Sequence, residues 1–332
     1  KPEGMGYDGK LVSNIFPEFR DKIVLQDDNS LGFIRPTPED GFPVYEGKGH
    51  YYNDISLSNK GLKGSGILEY LTSTTYSDDF TFFPDSTNAI AKKFKNEKKT
   101  SYPQYPSTEG TDVYVHWEPQ EDDFFVTTKK EPMSMYDNQA SINGTVLLGP
   151  EGLTGKGKMN VETSQFSSDS YTFTADKFIS DSVDLNIFTE NRGSFAFKTE
   201  NVRTSVDFKE RKANIESKNG VTKVEFPVNQ YIAYVRNMTW DMDKQDLELT
   251  SQDLVHVIEK GESRVILADN RGGRPVGSHF ISVHPKQDSL EFVSPVTNFD
   301  LKNNIINSHQ VYFIKVADAT VFPGDGELVE IN

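Results

Sequence analysis

One segment of this chain occurs twice without a gap. Gly61-Leu62-Lys63-Gly64-Ser65-Gly66 opens the first copy, and Gly152-Leu153-Thr154-Gly155-Lys156-Gly157 opens the second. From Gly61 to Asp85, eleven of the twenty-five positions recur at the same offset: Gly61, Leu62, Gly64, Gly66, Thr72, Ser73, Ser77, Asp78, Thr81, Phe82 and Asp85. Tyr45 and Tyr136 share that offset, so the likeness begins upstream of the glycines. A fixed-period recurrence constrains a fold more than composition does, because each copy must be the same structural unit.

Both glycine runs continue as alternating segments, Ile67–Thr72 and Lys158–Thr163. A phosphate-binding glycine loop must follow a buried strand and open a helix. Here the run is embedded in strand-like alternation and lacks a Gly-Lys-Ser/Thr ending. The glycines therefore predict a bulge, a tight bend or close backbone approach within β structure.

Period-two alternation pervades the rest. Ser182–Phe188, Ser194–Lys198 and Lys212–Ser217 alternate strictly, which puts one face on a core. Asp112–Trp117, Asp123–Thr128, His279–His284, Ser289–Val293 and Val311–Val316 also read as strands. A second recurrence has the form apolar-Asp-apolar-charged: Val206–Lys209, Trp240–Asp243 and Phe299–Lys302, each followed by a polar turn and another strand. Asn88–Lys98 is the one stretch that reads as a helix, capped by Ser86 or Thr87, and it reads equally as an irregular edge. Tyr102–Ser107 is a loop, since Pro103 and Pro106 cannot donate to a ladder. Arg271-Gly272-Gly273-Arg274-Pro275 reads as a linker.

The expected fold class is all-β: an elongated stack of antiparallel β units, β-solenoid or jellyroll-like, with little or no helix. Its expected divisions are N-terminal lead-in strands and loops at 1–41, a first β repeat at 42–133 with a loop insertion at 86–110, a second β repeat with continuing strands at 134–275, and a C-terminal β unit at 276–332. An apolar content of only 35% suits a thin body that needs little core per residue. Aromatics at 12% argue against disorder. Lys1-Pro2-Glu3-Gly4 and Glu327–Asn332 read as cuts inside a longer protein.

The net charge of −15 excludes nucleic acid as a natural partner, since phosphate binding needs clustered cations. The basic run Lys92-Lys93-Phe94-Lys95, with Lys98 and Lys99, reads first as a solvated face and second as a patch for anionic lipid or sugar. With no cysteine, thiol catalysis, disulfides and thiolate metal sites are excluded, and the chain leans toward an exported bacterial protein. No stretch approaches the ~18 apolar residues of a membrane-spanning helix.

Candidate sites are few, and no catalytic residue, cofactor or firm metal site is expected. His279 and His284 have an odd spacing that puts them on opposite faces of a strand. Asp241, Asp243 and Asp246 are weak calcium candidates, because they lack an EF-hand's glycine and terminal glutamate. Trp117, Glu118, Phe124 and Phe125, with Glu121, Asp122 and Asp123, form an aromatic and acidic cluster that could face a sugar. Tyr51, Tyr52, Tyr102 and Tyr105 are further candidates for ligand contact.

Phe173–Ile179 and Phe208–Asn214 resemble the OstA/LptA-type β-jellyroll repeat, whose members handle lipopolysaccharide in the periplasm. The likeness spans at most 170–320. The glycine-run recurrence and the 86–110 segment have no place in that family, and the whole chain looks more like a segment of a large repeat-bearing envelope protein of Gram-negative bacteria. That resemblance implies an exported protein of the periplasm or outer-membrane surface. Its partners would be envelope proteins, glycolipid or polysaccharide. The leading expectation is a non-enzymatic structural or partner-binding scaffold. One alternative is a lipid conduit lined by Phe195, Phe197, Val206, Phe208, Trp240 and Met242. The other is a carbohydrate-binding or glycoside-active module at 117–125.

Overall fold

The structure, a computed structural model, describes residues 6–26, 29–251, 254–259, 262–267, 276–287, 290–311, 313–324 and 328–332; for 254–259 and 262–267 it describes the backbone. All regular secondary structure among these residues is β. The chain divides into two compact units, one of residues 1–157 with 172–175 and one of residues 158–171 with 176–332. The linker read at Arg271–Pro275 lies outside the described residues.

The first unit is an antiparallel meander. Its strands are β1 (Gly6–Leu11), β2 (Phe19–Leu25), β3 (Leu31–Pro36), β4 (Phe42–Val44), β5 (Gly49–Ser58), β6 (Gly61–Tyr70), β7 (Ser73–Phe82), β8 (Thr87–Asn96), β9 (Thr108–Glu118), β10 (Asp123–Thr127), β11 (Met133–Met135) and β12 (Ala140–Gly149). Pairing runs β1–β2–β3–β5–β6–β7–β8–β9. β3 and β4 lie end to end along β5. In the same way β10 and β11 lie end to end between β9 and β12. β13 (Gly152–Val161) and β14 (Ser164–Phe173) follow. The bounds of β12, β13 and β14 stand at the same offset from β5, β6 and β7 as the two glycine runs.

The three glycines of the first run do three different things. Gly61 has φ +93° and closes the Asn59-Lys60 turn between β5 and β6, the left-handed position that favours glycine. Between Gly64 and Gly66 the β6–β7 register slips, with Gly64 opposite Phe80 and Gly66 opposite Ser77. Asp78 and Asp79 form the bulge, so the core-facing side chains switch from Ser77 to Phe80. At Gly66 the backbone of β5 comes so close that a Cβ would stand 2.0 Å from the Tyr52 carbonyl oxygen.

The expected helix at 88–98 is instead β8. Its buried residues are Thr87, Ala89 and Ala91, then Phe94 and Asn96. That is period two with a skip at Lys92-Lys93, and the skip imitates helical spacing. The expected 86–110 insertion is therefore half strand, and its irregular part is 97–107.

The second unit holds β15 (Lys177–Phe188), β16 (Phe195–Asp207), β17 (Lys212–Ser217), β18 (Thr222–Phe226), β19 (Tyr231–Val235), β20 (Asn237–Asp241), β21 (Asp246–Thr250), β22 (Leu254–Glu259), β23 (Glu262–Leu267), β24 (Ser278–Ser282), β25 (Glu291–Ser294), β26 (Val296–Asp300), β27 (Ile305–His309), β28 (Ile314–Val316), β29 (Ala319–Val321) and β30 (Val329–Ile331). β16 pairs with β15 and feeds two ladders. Its C-terminal half pairs with β17, and Lys198-Thr199 pairs with β18. One ladder runs β17–β20–β21–β26–β27–β30. The other runs β18–β19–β24–β25–β28–β29. From β18 to β29 the paired strands alternate between ladders two at a time, β18–β19, β24–β25 and β28–β29 in one and β20–β21 and β26–β27 in the other. Apolar residues of both meet: Phe226 of one packs on Phe299 of the other at 5.0 Å between ring centroids. β22 and β23 form a separate hairpin.

The apolar-Asp-apolar recurrences are the turns of the first ladder. Asp207 Oδ1 accepts from the Lys209 and Glu210 amides at 2.9 and 3.0 Å, Asp241 Oδ1 from Lys244 at 3.0 Å, and Asp300 Oδ1 from Lys302 and Asn303 at 2.9 Å each. The residue after each Asp is buried: Phe208, Met242 and Leu301. Four residues after each Asp, Arg211, Gln245 and Asn304 have φ of +52°, +53° and +58°. The turns are also tied to one another, since the Met242 amide donates to Arg211 O at 3.1 Å and the Leu301 amide to Gln245 O at 3.0 Å.

Candidate functional site

The site of interest is a cleft of about 500 Å³ in the first unit. Three segments supply it: the 97–107 loop with Tyr102 and Gln104, the β9–β10 turn with Glu121, Asp122 and Asp123, and the β12–β13 turn with Gly149, Pro150, Glu151 and Gly152. Leu147, Leu153 and Phe173 supply apolar surface beneath.

Each segment is fixed by a contact its sequence provides. Tyr105 is buried, and its hydroxyl donates to Gly149 O at 2.8 Å, tying the loop to the end of β12. Backbone bonds between Lys99 and Tyr105, at 2.9 and 3.0 Å, close the loop's base. Asn96 Nδ2 donates to Pro106 O at 2.8 Å. The peptide bond between Tyr102 and Pro103 is cis. In the β9–β10 turn, Asp122 adopts φ +62°. Lys48 Nζ donates to Asp122 Oδ1 at 2.7 Å and to Pro119 O, and the Tyr70 hydroxyl donates to Asp122 O at 3.0 Å. Asp122 is thus neutralised and used as a strut. Glu121, Asp123 and Glu151 form no ion pair among the described residues. Burial first, and then the Glu151 charge, raises the Tyr105 hydroxyl above its ordinary pKa. Tyr102 stands 83% exposed at the mouth. The arrangement is an apolar floor under a rim of carboxylates with an aromatic ring projecting beside it.

The structure brings Glu121, Asp122 and Asp123 of the expected acidic cluster to this cleft and sends the neighbouring residues elsewhere. Trp117 and Phe124 are fully buried, packed with Tyr70 at 4.8 and 5.4 Å between ring centroids. They are core, not ligand surface, because alternation along β9 and β10 turns them inward. Glu118 meets His116 Nε2 at 3.2 Å, and Phe125 stacks on the same imidazole at 6.1 Å. Of the four tyrosines, Tyr102 is exposed, Tyr51 and Tyr105 are buried, and Tyr52 lies against Glu69 at 3.2 Å.

The weak calcium candidates do not converge. Asp241 binds its own turn amide, Asp243 pairs with Arg211, and Asp246 accepts from Asn298 Nδ2 at 2.6 Å. His279 is buried on β24 with Nε2 3.0 Å from Glu291, whose other oxygen lies 3.0 Å from Lys315 Nζ. Burial holds the His279 imidazole below its ordinary pKa against the raising pull of Glu291. His284 follows the strand, and its Nδ1 accepts from the Lys286 amide at 3.1 Å. The basic run on β8 faces acids, with Lys92 on Asp78, Lys93 on Glu109 at 4.0 Å and Lys95 on Glu97 at 2.5 Å. Of the six residues named for a lipid conduit, Phe197, Val206, Phe208, Trp240 and Met242 are buried and Phe195 is half-buried.

Glu151 and Pro150 are not among the sequence candidates, and Phe173 is marked there only by the recurrence and the resemblance, not as a site residue. The signal was present in the recurrence: Ser58-Asn59-Lys60-Gly61 of the first copy becomes Gly149-Pro150-Glu151-Gly152 in the second, so a cation is replaced by an anion in a conserved turn frame. Comparison with known proteins finds no matching family model, no similar curated protein and no similar solved structure.

Proposed function

We propose that the chain is a non-enzymatic, partner-binding scaffold segment of a Gram-negative cell envelope. The observation that carries the binding role is the cleft itself: Glu121, Asp123 and Glu151 stand unpaired around an apolar floor, beside an exposed Tyr102. By contrast, Asp207, Asp241 and Asp300 serve the framework by binding turn amides. The exported setting rests on the cysteine-free composition and on the resemblance of 173–179 and 208–214 to periplasmic jellyroll repeats.

A photo-crosslinking residue at Tyr102 tests this reading in intact cells. The expected result is an adduct with an envelope component, with the chain found in the envelope fraction. Recovery in the cytosolic fraction would overturn it.

A second reading, glycoside hydrolysis, is favoured by the shared position of Glu121, Asp123 and Glu151 in one cleft. Hydrolysis requires two carboxyl groups about 5–9.5 Å apart across the scissile bond. Turnover of a polysaccharide, lost in Glu121→Gln or Asp123→Asn, would establish it and displace the scaffold reading.

A further inference from the structure

We propose that the cleft takes arginine side chains of an extended basic peptide segment on the partner, an inference that rests on the partner-binding reading above. Three features of the same cavity point there. Its rim carries four carboxylates, Glu121, Asp122, Asp123 and Glu151, and no Lys or Arg lines it. Lys48 satisfies Asp122, and the other three are left to meet a cation from outside. Its floor is apolar, with Leu147, Leu153 and Phe173, which suits the methylene stem of a long cationic side chain better than a hydrated metal ion. At the mouth stands Tyr102, 83% exposed, whose ring offers a face to a planar guanidinium. An ammonium would gain less from that face, and a neutral sugar would leave the carboxylate charge uncompensated. The whole chain carries −15, so a basic segment is also steered toward it.

The rim side chains lie outside the hydrophobic core. Neutralising Glu121, Asp123 and Glu151 together leaves the Lys48–Asp122 strut in place. The probe is a fluorescein-labelled peptide of alternating arginine and serine, titrated against the full chain and followed by anisotropy at 50 mM NaCl.

The variant Glu121→Gln/Asp123→Asn/Glu151→Gln is expected to weaken binding at least tenfold. A control with the same charge change, Asp181→Asn/Glu200→Gln/Glu210→Gln, is expected to weaken it less than threefold. Tyr102→Ala is expected to weaken the arginine peptide several-fold and a lysine–serine peptide less. A citrulline peptide is expected not to bind.

Equal losses in the cleft and control variants would overturn the proposal, since bulk charge alone would then attract the probe. So would a cleft that ignores the arginine peptide, or citrulline binding as well as arginine. Two results separate this proposal from the reading it rests on. Cellular crosslinks at Tyr102 that survive the triple variant would sink the arginine assignment and keep the scaffold. Polysaccharide turnover in the cleft would sink the scaffold reading itself.

Discussion

At the residue scale, the glycine runs are defined by what a side chain would strike. A Cβ on Gly66 would stand 2.0 Å from Tyr52 O, and one on Gly157 would stand 2.3 Å from Asn143 O. Tyr52 and Asn143 are themselves at the repeat offset, so both copies make the same approach. A Cβ on Gly61 meets nothing within 4 Å. Gly66→Ala is therefore expected to cost about 1–3 kcal/mol, by forcing backbone apart. Gly157→Ala should cost more, because φ of +130° adds backbone strain of about 1–3 kcal/mol. Gly61→Asn should cost under about 1 kcal/mol, since its demand is only a left-handed turn that Asn tolerates. Urea midpoints at constant slope measure all three. Equal losses at Gly61 and Gly66 would mean that the close approach is relieved without penalty. Spacing alone allowed a bulge, a bend or a close approach, and the structure contains all three. Which glycine does which depended on the neighbouring strand, and the sequence of the run does not contain that strand.

Among elements, the turns of the first ladder hold the acid sensitivity. Burial raises the Asp207 carboxyl, but the Glu210 amide, Lys177 and the Lys209 amide outweigh it and hold the group below its ordinary value. The Lys244 amide lowers Asp241. For Asp300, burial is again outweighed, here by Asn303 and the Lys302 amide. A lowered carboxyl contributes stability above the unfolded Asp value of ~3.9, and loses it as pH falls through the folded value. Asp300→Ala is expected to cost about 1 kcal/mol at pH 7, with the gap from wild type closing below pH ~4. Asp246 has the opposite sign. Burial first, and the Asp300 charge opposite it on β26, raise its carboxyl. Its ionised form opposes folding at neutral pH, so Asp246→Asn should leave stability unchanged or raise it. Urea titrations between pH 3 and 7 distinguish the two signs. The strand, polar turn, strand grammar of these elements was legible in the apolar-Asp-apolar recurrence. The amide bonds from Met242 to Arg211 and from Leu301 to Gln245 were not, because they join turns more than thirty residues apart. Asn88–Lys98 misled for a local reason, two consecutive exposed residues at Lys92-Lys93 that break the alternation of β8.

On the scale of the molecule, the all-β class followed from alternation, whereas the cleft was only half visible. Glu121, Asp122 and Asp123 are neighbours in sequence; Glu151 and Phe173 reach them only through strand pairing. The charge balance yields the last expectation. Many of the ion pairs are held by solvent-exposed side chains, such as Lys10–Glu18, Lys92–Asp78 and Arg203–Asp181. Exposed pairs contribute about 0–1 kcal/mol each and are screened by salt. Against them stands the mutual repulsion of a net −15, which acts over a screening length of about 30 Å at 0.01 M salt and about 8 Å at 0.15 M. Repulsion has the longer reach, so screening should relieve it more than it weakens the pairs. The urea midpoint is therefore expected to rise between 10 and 150 mM NaCl, while the affinity for the arginine peptide falls over the same range. A midpoint that falls with salt would show that the local pairs outweigh the net charge. An affinity that ignores salt would show that the carboxylate rim plays no part in holding the peptide.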